Sequence, residues 1–235
     1  IIMISIADNL GFRKVITWKD FDRKPDYVDV VSNERNMIKR FIDLVKERDV
    51  DILLGYNSDI FDLPYIRDRA KQLRISLELG RDGSEVVFRK RRFGTASKIR
   101  GRVHVDAFAM VDFLAAIGNI KLIHYTLEDV YRYLSGKDKP DLEFTDMMKA
   151  WKVGGDEGLR LLKYSMSDAD ATLEVGLELL PLFVGLARIV GQTLFDVQRM
   201  TSGQLVEWLL LAEAHKIGEL VPARPIGDEF EERTE

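Results

Sequence analysis

Cysteine is absent from the 235 residues of the chain. Its absence excludes disulfide bridges, thiolate zinc sites and cysteine nucleophiles, and it fits a reducing compartment. Long apolar runs are absent too, since no stretch approaches the roughly 18 uninterrupted apolar residues that a membrane span requires. Neither sign of charge dominates, because 39 acidic and 35 basic residues leave a net charge of −4. With 46% hydrophobic residues, this composition predicts a globular protein that does not enter a membrane.

The chain begins with an apolar run, residues 1–7, that has neither an initiator Met nor a charged leader. This start is typical of a piece of a longer protein, and we interpret the chain in that way. Turn-forming residues separate the run from a second β-rich run, residues 15–18. We expect the two runs to pair as an antiparallel hairpin.

Strands and helices then alternate along the sequence. Ser32 or Asn33 can cap an amphipathic helix, and residues 51–56 indicate a strand buried on both faces. A second helix is expected from Pro64 to about residue 73. This alternation predicts an α/β domain with a mixed sheet. Later residues indicate mostly helices, including residues 127–134, 157–180 and 201–216, before an acidic end.

A basic segment interrupts this pattern. Residues 86–105 contain no acidic residue, and we expect them to form a protruding hairpin followed by a core strand over residues 103–105. The cations can form an ordinary solvated face or attract a phosphate backbone, and charge alone leaves both interpretations open. The seven cations are Arg89, Lys90, Arg91, Arg92, Lys98, Arg100 and Arg102.

The first candidate site lies in residues 56–65, between the predicted buried strand and the second helix. A carboxylate at this edge of a sheet can bind Mg²⁺, because hard cations prefer oxygen ligands held by a rigid rim. Asp62 is the best placed residue for that role. The alternative is that Asp62 only caps the helix that begins near Pro64.

The second candidate site is Tyr164 and Asp168, four residues apart on the long predicted helix and therefore on one face. The phenol can orient a water molecule while the carboxylate binds a metal ion, although this spacing alone is a weak signal. Asp170 points away from that face and is expected to be solvated. The three histidines are too far apart in sequence to form a recognisable metal-binding pair, and we expect them to be structural.

These two segments carry a resemblance to a known family. Residues 56–66 resemble the second exonuclease motif, and residues 164–168 the third, of the 3′→5′ proofreading exonuclease domain of archaeal family B DNA polymerases. Other segments resemble the family in the same order, and the likeness extends from residue 1 to about residue 225. These segments are residues 1–5, 15–19, 80–85 and 203–208.

The resemblance implies an α/β, RNase H-like (DnaQ-like exonuclease) fold: a mixed sheet flanked by helices, with a protruding hairpin and a helical C-terminal part. Residues 1–190 are then the exonuclease domain without its first motif strand. Residues 191–225 form a helical connection toward an absent palm domain, and residues 226–235 form an acidic tail or linker.

The resemblance also implies a role for each candidate residue. Asp62 and Asp168 are ligands of two Mg²⁺ or Mn²⁺ ions that clamp the scissile phosphate, and Tyr164 orients the attacking water. Asn57 and Phe61 position the frayed 3′ end, although Phe61 can equally be a core residue. The hairpin is expected to guide the primer strand. Its DNA-binding residues are Arg89, Lys90, Arg91, Arg92 and Lys98.

Two departures from the family pattern change the expectation for this chain. The first exonuclease motif, Asp-x-Glu on a strand, lies upstream of residue 1 in the family, so the isolated chain is expected to be weak or inactive as a nuclease. The palm motifs for nucleotidyl transfer are also absent, so the chain cannot polymerise. The expected partners are a single-stranded DNA primer end and the remaining polymerase domains, including the palm and N-terminal domains, in the cytoplasm with the nucleoid.

Two other functions remain open. One is a noncatalytic module of the same fold that binds single-stranded nucleic acid or braces the polymerase. The other is a free-standing nuclease, which is disfavoured because the residues after Gly191 resemble the family's route into the palm.

Overall fold

A computed structural model describes residues 1–91, 94–139, 142 and 144–222. The predicted hairpin at the start is confirmed: β1 (Met3–Ala7) pairs antiparallel with β2 (Arg13–Thr17), and Met3 lies opposite Thr17. The short strand β3 (Val28–Val30) adds to β2 in parallel. Within the described residues, the other edge of β1 has no strand partner.

A second, parallel pair consists of β4 (Ile52–Gly55) and β7 (Val103–Asp106). Both strands are predicted, but the expectation that β4 is buried on both faces is wrong, because all four of its residues are only half-buried. Among the described residues β4 pairs with β7 alone, so the other edge of β4 has no strand partner.

The basic segment forms the predicted hairpin. Its strands are β5 (Val87–Arg91) and β6 (Gly94–Lys98), which are antiparallel, with Val87 opposite Lys98. β5 and β6 form a two-stranded sheet of their own, separate from the other two sheets. Arg92, a predicted DNA ligand, lies outside the described residues.

Eight helices surround these strands in the described part of the chain. Asn33 caps the first helix as predicted, because its side chain accepts a hydrogen bond from the Asn36 amide at 2.9 Å. The helices are α1 (Glu34–Glu47), α2 (Asp62–Gln72), α3 (Ala107–Ala116), α4 (Leu127–Ser135), α5 (Phe144–Val153), α6 (Gly155–Val190), α7 (Leu194–Val197) and α8 (Ser202–Lys216).

The central helix α6 is ten residues longer at its C-terminal end than predicted, because it continues through Pro181 to Val190. A proline inside a helix removes one backbone hydrogen bond. Here Leu179 and Phe183, on either side of it, are buried in the core, and this burial offsets the lost bond.

Two large apolar clusters meet at β4. Leu53 packs against the cluster of α1 and α2, while Leu54 packs against the cluster of α3, α4 and α6. Gly176 permits α6 to approach the strand closely, since a Cβ atom there would lie 2.1 Å from a Leu54 methyl carbon. The same helix also contacts β1, where the Ser5 and Ser165 hydroxyls are 2.6 Å apart. β1 and β4, each of which has an unpaired edge among the described residues, therefore both pack against α6.

None of the helices in the described ranges combines the length and apolar character needed to cross a bilayer.

Candidate functional site

A tight loop joins the end of β4 to the start of α2. Asn57 has a left-handed backbone with φ 58°, a conformation that asparagine adopts more readily than most residues. The Asp106 carboxylate fixes this loop by accepting hydrogen bonds from the backbone amides of Asn57, at 2.8 Å, and Asp59, at 2.9 Å. It also caps α3 through the Phe108 amide. One buried carboxylate thus sets the path of the loop.

Asp62 stands at the solvent-accessible end of this loop, as the first residue of α2. The cap position belongs to Phe61, and no side-chain cap bond is made there, so the alternative that Asp62 is only a helix cap is wrong. Partial burial of the carboxyl group raises the pKa of Asp62, and the nearby charge of Asp106 raises it further. A hydrogen bond from its own backbone amide and the charge of His104 oppose the rise. Within the described part of the chain, no cation forms an ion pair with Asp62.

Tyr164 and Asp168 lie together on α6, as their spacing predicts, and both contact Lys139. The buried Lys139 ammonium forms an ion pair with the Asp168 carboxylate and lies 4.4 Å from the centre of the Tyr164 ring. Burial alone would lower the pKa of Lys139, but the hydrogen bond and charge of Asp168 raise it. Lys139 therefore keeps its charge beside the Asp168 carboxylate.

The candidate residues thus have two separate sets of contacts. Asp62 lies near Asp106, whereas Tyr164 and Asp168 both contact Lys139. Across the residues that the structure describes, no group of three or more His, Asp or Glu side chains could hold a metal ion. Asp170 is placed apart from both, where it forms an ion pair with Arg13 rather than being simply solvated.

Phe61 is an exposed aromatic residue, so the alternative that it belongs to the core is wrong. Its side chain is 62% exposed and is stacked on Tyr65, with ring centres 5.9 Å apart and an interplanar angle of 3°. Tyr65 was not predicted as a site residue, although its spacing of four residues from Phe61 places both on one helical face. Together the rings offer an exposed surface next to Asp62.

The seven cations of the basic segment divide into different environments. Arg89, Lys90 and Lys98 are exposed on the hairpin. Arg102 is buried and structural, because its guanidinium donates to the Leu79 carbonyl at 3.0 Å and pairs with Asp49. Three of the predicted DNA-binding cations are therefore exposed on the hairpin, and their role in binding stays a prediction.

The buried Asp59 carboxylate supports a pH-dependent prediction. Burial alone would raise its pKa, but His104, Arg199 and the Ser97 amide together lower the pKa to about 2. A depressed pKa stabilises the folded chain above pH about 4, by about 2 kcal/mol, and this stabilisation is lost as the pH falls through about 2. We expect the carbon resonance of the Asp59 carboxyl to titrate near pH 2 in the folded protein. A midpoint at or above 3.8 would contradict this assignment.

The chain matches known proteins along its whole length. Residues 1–130 match the family described as DNA polymerase family B, exonuclease domain. A DNA polymerase of Pyrococcus horikoshii is 47% identical over 234 residues, which are 99% of this chain and 18% of that protein. A DNA polymerase of Thermococcus gorgonarius is 43% identical over 236 residues, 100% of this chain and 29% of that protein.

A solved structure gives the same result for the fold. The family B DNA polymerase of the hyperthermophilic archaeon Pyrobaculum calidifontis aligns with a TM-score of 0.79 and 28% identity, over 97% of this chain and 28% of that chain. The chain thus spans less than a third of each of these relatives. It has their mixed α/β, RNase H-like architecture, and the resemblance carried by residues 56–66 and 164–168 is confirmed: the chain belongs to the exonuclease domain of the archaeal family B DNA polymerases.

Proposed function

We propose that the chain performs the proofreading step of DNA replication in a longer polymerase, by hydrolysing 3′-terminal nucleotides from DNA with two Mg²⁺ or Mn²⁺ ions. The observation that carries this proposal is that, in the described part of the chain, β1 and β4 lie in two separate sheets, each with an unpaired edge. β1 and β4 each have an edge with no strand partner in the described residues, and both strands contact α6, the helix that bears Tyr164 and Asp168. The end of β4 leads directly to Asp62.

A strand inserted between these two edges completes the site. Residues at i and i+2 of a strand lie on the same face, so an Asp-x-Glu sequence presents two carboxylates together. Added to Asp62 and Asp168, they give four acidic side chains, which suit hard divalent cations. We infer that upstream residues of the longer protein supply this strand.

The residues already present fit divalent cations chemically. Asp62 has a raised pKa, partly from the charge of Asp106, and no cation in the described residues forms an ion pair with it. A divalent ion bound there relieves this repulsion. Such ions supply a hydroxide nucleophile at neutral pH and stabilise the departing 3′ oxygen. Asp168 is available as a ligand once it exchanges its ion pair with Lys139 for the metal.

The protein's own side chains hold the other reactants. The Tyr164 hydroxyl orients the attacking water, and Lys139 fixes the ring through its contact with the aromatic face. Phe61 provides a surface on which the terminal base can stack, a contact that tolerates any base. Asn57 and the exposed hairpin cations position the backbone of the frayed strand. Arg91, at the end of β5, and Arg92, which lies outside the described residues, complete the proposed DNA-binding set.

The substrate implies the partners and the location. The primer 3′ end must reach this domain from the palm of the same polymerase, so the palm and N-terminal domains are the proposed neighbours, in the cytoplasm with the nucleoid. We keep the division into an exonuclease domain over residues 1–190, a helical connection over 191–225 and a tail over 226–235, although residues 223–235 lie outside the described ranges.

A nuclease assay tests the proposal. A 5′-labelled single-stranded oligonucleotide is incubated with Mg²⁺ or Mn²⁺ and either this chain or an extended protein, defined as this chain with the upstream residues that supply the Asp-x-Glu strand. We expect a ladder of 3′-shortened products from the extended protein and little or none from this chain. Absence of shortening by the extended protein would contradict the proposal.

A noncatalytic nucleic-acid-binding module is the second candidate. The ion pair between Lys139 and Asp168 favours it, because it neutralises the carboxylate that a metal ion needs. If neither protein degrades DNA while both retard it in a gel at low salt, this second function is the correct one.

The exposed hairpin cations carry a separate prediction. Replacing Arg89, Lys90 and Lys98 by Ala should weaken binding of single-stranded DNA and reduce the slope of log K against log salt by about 2, since each phosphate contact contributes about 0.7. Fluorescence anisotropy across a salt series measures both quantities.

The matched control is a triple Ala variant of exposed cations that already have carboxylate partners. Removing them should leave the salt slope unchanged, and a control slope that falls as much as that of the hairpin variant would contradict a specific role for the hairpin. The control residues are Arg23, Lys24 and Lys216.

A further inference from the structure

A buried ion pair joins two segments that are far apart in the sequence. The Asp59 carboxylate accepts hydrogen bonds from Arg199, whose Nε lies 2.8 Å and whose Nη2 lies 2.6 Å from the same oxygen. Both side chains are at least 93% buried. The other Asp59 oxygen accepts from the backbone amide of Ser97, in β6 of the hairpin, at 2.7 Å. One carboxylate therefore connects the loop before α2, the hairpin and the segment after α7.

Arg199 is itself held from several sides. Its guanidinium donates to the Phe195 carbonyl at 2.6 Å and lies 4.2 Å from the centre of the Phe195 ring. The preceding residue, Gln198, accepts from the Asp106 amide at 2.8 Å and donates to the His104 carbonyl at 2.9 Å. The junction of α7 and α8 is thus fastened to the same strand end that carries Asp106.

The loop before α2 depends on these contacts for its shape. Its backbone is attached to Asp106 through the Asn57 and Asp59 amides, and its only buried charged side chain is Asp59. Asp59 lies two residues from Phe61 and three from Asp62, which are both solvent-accessible. A fixed Asp59 therefore fixes where these two side chains stand, and through Ser97 it fixes the hairpin relative to them.

We propose that Arg199 and Asp59 are a positioning pair for the exonuclease site. Through this pair, the segment after α7 sets the position of the loop before α2 relative to the DNA-binding hairpin. This inference rests on the proposed function for its consequence in proofreading. The pair touches neither substrate nor metal. It acts through the loop and the hairpin.

Two nitrogens of the planar Arg199 guanidinium bind one Asp59 oxygen, and this geometry distinguishes positioning from simple charge neutralisation. Arginine presents its donors as a rigid planar fork, whereas lysine has a single ammonium that cannot hold a carboxylate in one orientation. Arg199→Lys keeps the charge and loses the fork. Asp59→Asn keeps the size of the side chain and loses the charge. Arg188→Gln, at an exposed position of α6, is the matched control.

The primary measurement uses this 235-residue chain without metal. We expect Arg199→Lys to remain folded by circular dichroism, to speed amide hydrogen exchange at Ser97 by about tenfold or more, and to weaken single-stranded DNA binding about fivefold. Arg188→Gln should change neither quantity. Should Arg199→Lys fail to fold, Asp59→Asn is measured with the same expectations. Wild-type DNA affinity in a folded variant would overturn the proposal, whether or not Ser97 exchange changes.

A kinetic measurement on the extended protein separates positioning from stability. Loss of positioning raises the KM for the oligonucleotide about fivefold and raises the Mg²⁺ concentration for half-maximal activity. If the pair only stabilises the fold, the substitution lowers the fraction of folded, active protein and therefore kcat, while KM and the Mg²⁺ concentration for half-maximal activity stay unchanged. That result would also overturn the proposal. If the extended wild type has no nuclease activity, the proposed function fails, while the DNA-binding and exchange measurements still decide the positioning role.

Discussion

Replacing Asp62 by Asn in the extended protein is expected to lower kcat for 3′→5′ degradation by about a thousandfold or more, the scale on which single catalytic groups act. The asparagine side chain has the shape of the wild-type aspartate without its charge, and the charge is what a divalent cation requires. The assay is the rate of shortening of a 5′-labelled oligonucleotide under single-turnover conditions. Asp68→Asn is the matched control, because Asp68 is an exposed carboxylate on the same helix, already paired with Arg67.

The same substitution should make the metal-free chain more stable at neutral pH. A carboxyl whose pKa is raised by folding favours the folded state when it is protonated, and this contribution is lost as the pH rises through the raised pKa. Asn stays neutral and therefore removes the free-energy cost of the ionised Asp62 carboxylate in the folded chain. The melting temperature of Asp62→Asn should therefore exceed that of the wild type at pH 7, and the difference should shrink at low pH.

Nuclease activity of the extended Asp62→Asn protein within tenfold of the wild type would contradict the role of Asp62.

Replacing Phe183 by Ala is expected to destabilise the chain by about 3–5 kcal/mol, which is a large part of the 5–15 kcal/mol typical of a folded domain. Phe183 is fully buried in α6, and its ring meets that of Phe113 edge to face with centres 5.6 Å apart. The variant removes this contact and leaves a cavity among the α3, α4 and α6 side chains. Urea unfolding followed by circular dichroism measures the change.

Leu182 provides the control for this prediction. It is the neighbouring residue on α6 but is 46% exposed, so Leu182→Ala should cost less than about 1 kcal/mol. Because Phe183 lies 15 residues beyond Asp168 on α6, its replacement should leave kcat per folded molecule of the extended protein unchanged. Equal effects of the two substitutions on the free energy of unfolding would contradict the assignment of the core.

The sequence allowed much of the fold to be predicted where local signals are strong. Turn residues between two β-rich runs predicted the β1–β2 hairpin, and a capping side chain before an amphipathic pattern predicted α1 from Asn33. Prolines gave a weaker signal: α2 begins two residues before Pro64, and α6 continues past Pro181. In both helices tertiary packing, rather than the proline, determines where the helix begins or ends.

The candidate site was predictable only in part, because its remaining contacts join distant segments. Lys139 meets Asp168 across 29 residues, and Arg199 meets Asp59 across 140. Neither basic residue lies in a periodic pattern, so no local signal distinguishes it from a solvated cation. The exposure of Phe61 was equally unpredictable, since an aromatic residue near a helix start is compatible with both the core and the surface.

The central claim is that Asp62 and Asp168 become ligands of one metal centre when a strand enters between β1 and β4. The most direct test is paramagnetic broadening by Mn²⁺ of the carboxyl carbon resonances of these two residues. In the extended protein, both resonances should broaden together at the same low Mn²⁺ concentration, whereas in this chain they should not broaden together. Broadening of only one of them, or of neither, in the extended protein would contradict the shared metal centre.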